Sequence, residues 1–188
     1  MEGNDMNKDR IALHEKIAFE KWEGYAKPID RGRHVNFGEN YIMAPDFVMI
    51  SPLFNNGVPQ SITDMFSGEV AEAVAKYAPD GDVLTPEWRM WWKHMPDYHL
   101  VSPFECIAGD WGFSSCDTYA GTLADGTTLE LREWDYLWIN EDGHITRWDW
   151  FVDSVEWGRL LSLVGLDPVG LTCQAYTLNF LRESGAES

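Results

Sequence analysis

Asp135 and Asp149 flank the turn-forming run Glu141-Asp142-Gly143 near the end of the chain, and their spacing is the first feature that points to chemistry. If this run is a three-residue hairpin loop with Gly143 in the left-handed conformation, Asn140 faces His144 and Asp135 lies directly opposite Asp149. By the period-two rule one face then carries Leu131, Glu133, Asp135, Leu137, Ile139, Ile145, Arg147, Asp149, Phe151 and Asp153, and the other carries Trp134, Tyr136, Trp138, Trp148, Trp150 and Val152. Opposed side chains stand roughly 5 Å apart at Cβ, so two carboxylates placed there cannot both ionise cheaply once water is excluded. One of them keeps a proton near neutral pH, which is what a general acid/base or an oxyanion-stabilising acid requires. Arg147, beside both on the same face, could instead hold them as ordinary anions.

Two readings of this hairpin stay open on the residues alone. Burying the tryptophan face leaves the Asp/Glu/Arg face in water, and the carboxylate pair is then surface charge. Alternatively the sheet is covered on both sides. The charged face then lines a pocket, and the Trp134, Trp138, Trp148 and Trp150 face meets a helix or a second subunit. On this second reading Asp149, Asp135 and His99 are the catalytic candidates. Glu133, Arg147 and Phe151 join Tyr41, Trp88 and Trp92 in binding substrate.

His99 enters because an imidazole titrates close to neutrality, and its bland alternative is a structural histidine starting a strand. Tyr41 offers a phenol able to hydrogen-bond a carbonyl oxygen. Trp88, Trp91, Trp92 and Met95 fall on one helical stripe, which is either plain core or a greasy wall for an aromatic or polycyclic ligand. No two His or Cys residues show ligand spacing, so no metal site is expected. No nucleophile elbow, phosphate loop or dinucleotide fingerprint occurs either, and the expectation is chemistry without a cofactor.

The elements that must position these groups can be sketched from periodicity and breakers. Ala18, Trp22 and Tyr25 mark an amphipathic helix over 7–27 that Pro28 stops. A bent edge strand is expected over 41–50 and a short helix over 68–78. A further helix, capped by Thr85 with Pro86 at its first position, carries the Trp88 stripe. Four strands follow as an antiparallel meander, 99–107, 112–123, 127–140 and 144–152, with turns rich in Asp and Gly between them. Ser154 caps a helix reaching 164, and a last helical segment covers 171–182. Helices first and a long sheet afterwards indicate an α+β fold.

Composition narrows the function classes. The chain has 188 residues, 45% of them hydrophobic, with 10 Trp, enough for one domain with a sizeable core. Acidic residues outnumber basic ones 31 to 14, a formal charge of −17, so nucleic acid and anionic membranes are repelled. Three cysteines in no ligand spacing, with no signal-like or membrane-length apolar run, lead to the expectation of a cytoplasmic protein.

The hairpin Asp135-Tyr136-Leu137-Trp138, Asn140-Glu141-Asp142-Gly143-His144-Ile145, Thr146-Arg147-Trp148-Asp149 resembles the closing hairpin of SnoaL-like polyketide cyclases and their nuclear transport factor 2-like relatives. So do Met95-Pro96-Asp97-Tyr98-His99 before the sheet and Tyr41-Ile42-Met43-Ala44-Pro45-Asp46 at the first strand. The resemblance implies a cone of curved sheet and helices around a deep pocket over 7–166, with 167–188 as a C-terminal helical extension. It implies a homodimer through the outer sheet face, taken here as Trp134, Trp138, Trp148 and Trp150. It also implies that Asp149 is the acid/base and that Asp135 is a protonated aspartate stabilising an enolate. Where those relatives' proton-abstracting aspartate would stand, this chain has Ser51, which disfavours a ketosteroid-type double-bond shift. The expected function is a cofactor-independent lyase, cyclase or isomerase acting on a small, largely apolar or aromatic carbonyl compound. The alternatives are an epoxide-type hydrolase or a non-catalytic binding module. The substrate itself is left open.

Overall fold

A helix that must lie on a sheet needs one continuous buried stripe, and the first helix has one made of Ile17, Ala18, Lys21 and Tyr25. The structure is a computed structural model that describes residues 2–28, 33, 35–101 and 104–185; His34 lies outside them. In it, α1 runs Glu2–Ala26 and is followed by β1, Met43–Ile50. The two-residue β2, Gln60–Ser61, leads into α2, Ile62–Met65, then α3, Glu69–Tyr77, and α4, Leu84–His94. The sheet continues through β3, His99–Leu100, β4, Cys106–Gly109, β5, Gly112–Thr122, β6, Thr128–Ile139, and β7, Ile145–Val152. Two helices close the chain, α5 over Ser154–Leu163 and α6 over Cys173–Gly185.

The architecture is α+β, with a curved, open, seven-stranded sheet ordered β2-β1-β7-β6-β5-β3 and β4 paired beside β3 on β5. The strand expected over 99–107 is two separate strands, β3 and β4, both antiparallel to β5. β1 is not the edge strand the sequence implied. It runs parallel to β7, with the short β2 on its other side. At the other end of the long hairpin, Gly112 sits at φ +142°, and a Cβ there would stand 1.9 Å from the Leu137 carbonyl oxygen, so glycine is what lets β5 close on β6.

Capping differs in detail from the sequence reading. Asp153, not Ser154, caps α5, its carboxylate accepting the N–H groups of Val155 and Glu156. α4 begins at Leu84 rather than after a Thr85 cap. Asp82 accepts the Thr85 N–H at 2.9 Å, and the Thr85 hydroxyl accepts the Val35 N–H at 3.1 Å. Among the described residues, no helix is long and apolar enough to cross a membrane.

The core lies between the sheet's inner face and the helices. Inward from the sheet point Phe113, Tyr119, Leu131, Leu137 and Ile145, all 3% exposed or less. From the helical side come Trp91, Leu160, Leu161 and Phe180. Acidic residues stand in the same inward rows, where an alternating strand would ordinarily place only apolar ones.

Candidate active site

The closing hairpin forms as its turn residues dictate, with one extra residue just beyond the turn. Gly143 is left-handed at φ +80°, and the Asn140 N–H donates to His144 O at 2.9 Å. Ile139 still pairs with Ile145, but the next pair is Trp138 with Arg147, so Thr146 is a β-bulge, its hydroxyl donating to Trp138 O at 3.3 Å. A one-residue slip exchanges the two faces of everything beyond it.

This overturns the central geometric expectation. Asp135 pairs with Trp150, and Asp149 pairs with Tyr136, so the two aspartates are on opposite faces of the sheet. Arg147, Asp149 and Phe151 all point outward. Arg147 grips Asp149 through two bonds of 2.6 Å while lying over the Trp138 ring, and Phe151 is 40% exposed. The four-tryptophan outer face does not exist either. Trp134 and Trp138 face out, whereas Trp148 and Trp150 face in. The bulge is favourable because it trades two charged side chains for two indoles at the inner face, and the indole N–H groups find partners there.

Those partners are buried acids. Trp148 Nε1 donates to Asp135 Oδ1 at 2.6 Å, and Trp150 Nε1 donates to Glu133 Oε2 at 2.8 Å. Lys21 reaches from α1 to the same place, its ammonium donating to Asp135 at 2.6 Å and to Asp117 of β5 at 2.8 Å. Lys21, Asp117 and Asp135 are 2% exposed or less, and Glu133 is 6% exposed. The carboxylate oxygens of Asp117, Glu133 and Asp135 come within 4.8 Å of one another, a set of hard oxygen donors that would suit a cation. The Lys21 ammonium already stands among them in that role.

Three carboxyl groups share one ammonium, so the cluster as a whole favours binding a further proton. Burial alone would lower the Lys21 pKa, but Asp135, Asp117 and Glu133 together outweigh it and hold the lysine charged. Burial pushes Asp135 up, opposed by Lys21 and by the hydrogen bonds it accepts from Lys21 and Trp148. Burial pushes Glu133 well above the carboxylate range, and the charge on Asp135 pushes further in the same direction. Asp135 is bonded directly to the ammonium and Glu133 is not, so Glu133 is the group pushed well above the carboxylate range.

Glu133 also lines a cavity of about 720 Å³ between the sheet and the helices. This size suits a small organic ligand. Its walls are largely apolar and about half aromatic, with Trp148 and Trp150 from β7, Trp88 and Trp91 from α4, and Tyr25, Tyr98 and Tyr119 beside them. Tyr25 stacks on Trp88 with centroids 5.6 Å apart, and Tyr98 stacks on Tyr119 at 5.9 Å. The Tyr119 hydroxyl and the Trp157 indole N–H are buried and have no hydrogen-bond partner among the described residues. Both residues line the cavity.

A second carboxyl group, Glu87 of α4, lines the same space and accepts the Tyr176 hydroxyl at 2.5 Å. Burial raises its pKa to about 7, against the lowering effect of the Tyr176 bond. Cys173, also on the wall, is pushed up to about 12 by burial and is an unreactive thiol.

Of the residues singled out from sequence, the structure brings Glu133, Trp88 and Trp91 to the cavity, with Asp135 behind Glu133. Trp92 packs against Trp88 but is not on the wall, its indole N–H donating to Tyr98 O at 2.9 Å. Tyr41 packs on Phe37, and its hydroxyl is buried near Lys21 and Asp135 without a hydrogen-bond partner among the described residues. His99 is exposed, bonded to Asp97 O, and apart from the cavity. Sequence reasoning missed Lys21, Glu87 and Tyr119. Lys21 was legible as the charged member of the Ala18-Tyr25 stripe, facing strands whose inward rows hold three acids.

Solved structures similar to this chain include NTF2-like proteins. One, of unknown function, from Burkholderia pseudomallei K96243, aligns over 80% of this chain and 98% of its own, at 15% identity and a TM-score of 0.45. A phenazine biosynthesis-related protein from Pseudomonas aeruginosa aligns over 82% and 90%, at 18% identity and a TM-score of 0.44. The BvnE pinacolase from Penicillium brevicompactum aligns over 85% and 92%, at 12% identity and a TM-score of 0.48. No family model matches the sequence, and no curated protein matches it.

Proposed function

We propose that this protein is a small-molecule enzyme of the isomerase or cyclase type, in which neutral Glu133 gives a proton, or a strong hydrogen bond, to the oxygen of a carbonyl group on a largely apolar substrate. The observation that carries the reading is the placement of Glu133. It is a carboxyl group raised well above its ordinary range by burial and by the charge on Asp135, and it stands on a largely apolar cavity wall. A carboxyl group at its ordinary pKa is ionised at neutral pH and cannot donate, whereas one kept protonated by an apolar site can stabilise an enolate oxygen.

Tyr119 supports the reading. It lies two residues along β5 from Asp117, the direct partner of Glu133, so the two side chains are diagonal neighbours on one face. Its unsatisfied hydroxyl supplies a second donor for the same oxygen. Burial, with the charge on Asp135 acting in the same direction and Lys21 against it, favours the neutral form of Glu133, and the Trp150 indole N–H donates to one of its oxygens. Hydrolysis by a water held between Asp135 and Asp149 loses its geometry, since the two aspartates face opposite ways.

The test uses 2-tetralone, a bicyclic aromatic ketone with acidic hydrogens beside its carbonyl, and follows deuterium uptake from heavy water by mass spectrometry. The wild-type protein should accelerate exchange, and Glu133→Gln should reduce that acceleration by about 100-fold or more. Exchange that survives the substitution unchanged removes Glu133 from the chemistry.

A further inference from the structure

Proton transfer at carbon needs an acceptor as well as a donor, and Glu133, being neutral, cannot serve as both at once. Of the groups lining the cavity, Glu133 and Glu87 are the carboxylic acids. Glu133 belongs to the sheet wall. Glu87 belongs to the helical wall, in the first turn of α4, and is held there by Tyr176 from α6.

We infer that Glu87 is the base that removes the carbon-bound proton of the substrate, and that Tyr176 of the C-terminal helix is the residue that positions it. This rests on the reading of Glu133 given above and adds its partner. In the forward step the Glu87 carboxylate takes a proton from the carbon beside the carbonyl. The C–H electron pair becomes the new C=C bond, and the carbonyl oxygen takes the proton of Glu133. Glu87 is then a carboxylic acid and Glu133 a carboxylate. The return step delivers the Glu87 proton, or the solvent deuteron that has exchanged for it, to carbon, at the original or a conjugated position, and sends the enol proton back to Glu133. Both groups are restored with no other reactant consumed.

The surroundings of Glu87 fit this role. The titratable groups that interact with it are Tyr25 of α1, Tyr98 ahead of β3, and Cys173 and Tyr176 of α6, all of them neutral at pH 7. Among the described residues no lysine, arginine or histidine acts on it, so it is not tied up as half of an ion pair. Its hydrogen bond is a neutral phenol, which orients the carboxylate without quenching it. Burial brings its titration to about 7, where a base combines useful occupancy with useful strength.

The inference also explains the chain beyond residue 166. α6 supplies Tyr176, Thr177 and Phe180 to the cavity wall, so the terminal helix is part of the site.

The experiment is the 2-tetralone exchange assay run on the full-length wild-type protein and on Glu87→Gln, Glu133→Gln and Tyr176→Phe. Binding of 2-tetralone is followed in parallel by quenching of the cavity tryptophans, and folding by circular dichroism. Glu87→Gln should bind 2-tetralone within a few-fold of wild type and lose about 100-fold or more of the exchange rate. Tyr176→Phe removes a bond that lowers the Glu87 pKa, so the acidic limb of its pH–rate profile should move to higher pH, a change that loosened packing alone would not produce. Exchange lost in Glu133→Gln but retained in folded Glu87→Gln overturns this inference and leaves the reading of Glu133 standing. A Tyr176→Phe profile that keeps its acidic limb in place contradicts the positioning role. Exchange by wild type no faster than in buffer, up to the solubility limit of 2-tetralone, overturns both.

Discussion

Replacing Glu87 by Gln should stabilise the protein, and by an amount that depends on pH in one particular way. Burial raises the carboxyl from 4.5 to about 7. That is two and a half decades in proton affinity, which at about 1.36 kcal/mol per decade corresponds to about 3 kcal/mol. The native state holds this proton more tightly than the unfolded chain does. Below about pH 4.5 the group is protonated in both states and costs nothing. Between about 4.5 and 7 the unfolded chain ionises first and native stability falls, and above 7 the full penalty applies. Glutamine cannot ionise and still accepts the Tyr176 hydroxyl, so it escapes the penalty. Partial access of Glu87 through the cavity makes 3 kcal/mol an upper figure. The assay is urea unfolding of wild type and variant at intervals from pH 4 to 8. The stability difference should rise in favour of the variant across the window and level off above about pH 7, the contribution of Glu133 cancelling because both proteins contain it. A difference that stays constant over that range would show that Glu87 titrates normally and would refute the reasoning.

Two further outcomes follow from the same geometry. Lys21→Met leaves Asp117 and Asp135 buried without their cation, which should cost about 3–5 kcal/mol in denaturant unfolding at neutral pH and less in acid, where the acids can take up protons instead. Asp149→Asn disturbs an ion pair with a half-exposed arginine on the outer face, so 2-tetralone exchange should stay within a few-fold of wild type; loss of exchange would return Asp149 to the mechanism.

Much of the fold was written in local signals. Strand ends over β5 to β7 follow from Asp- and Gly-bearing turns, and the left-handed Gly143 follows from its place in a three-residue loop. The parallel pairing of β1 with β7 was not legible, because it depends on contacts about a hundred residues apart. The site was half legible. Asp135 was singled out as lying opposite Asp149, a pairing the bulge removes, and Glu133 because it shares a face with Asp135 by period two, which the structure keeps. Asp149, Arg147 and Phe151 were assigned to the wrong face because the register was carried through Thr146 as though the ladder were regular. The bulge has no strong local signature, since its advantage lies in the hydrogen bonds that Trp148 and Trp150 make once inside. Glu87 was passed over because its neighbours Trp88, Trp91 and Trp92 define the buried stripe, and a glutamate in the first turn of a helix reads as a partner for the helix dipole.

The account stands on the proton of Glu133. Carbon-13 NMR of the protein labelled at the glutamate side-chain carboxyl, with Glu133→Gln as the assignment control, reads that proton without any substrate. The Glu133 resonance should keep the chemical shift of a carboxylic acid through neutral pH. A resonance that moves to the carboxylate position with a midpoint in the ordinary glutamate range would contradict the mechanism at its source.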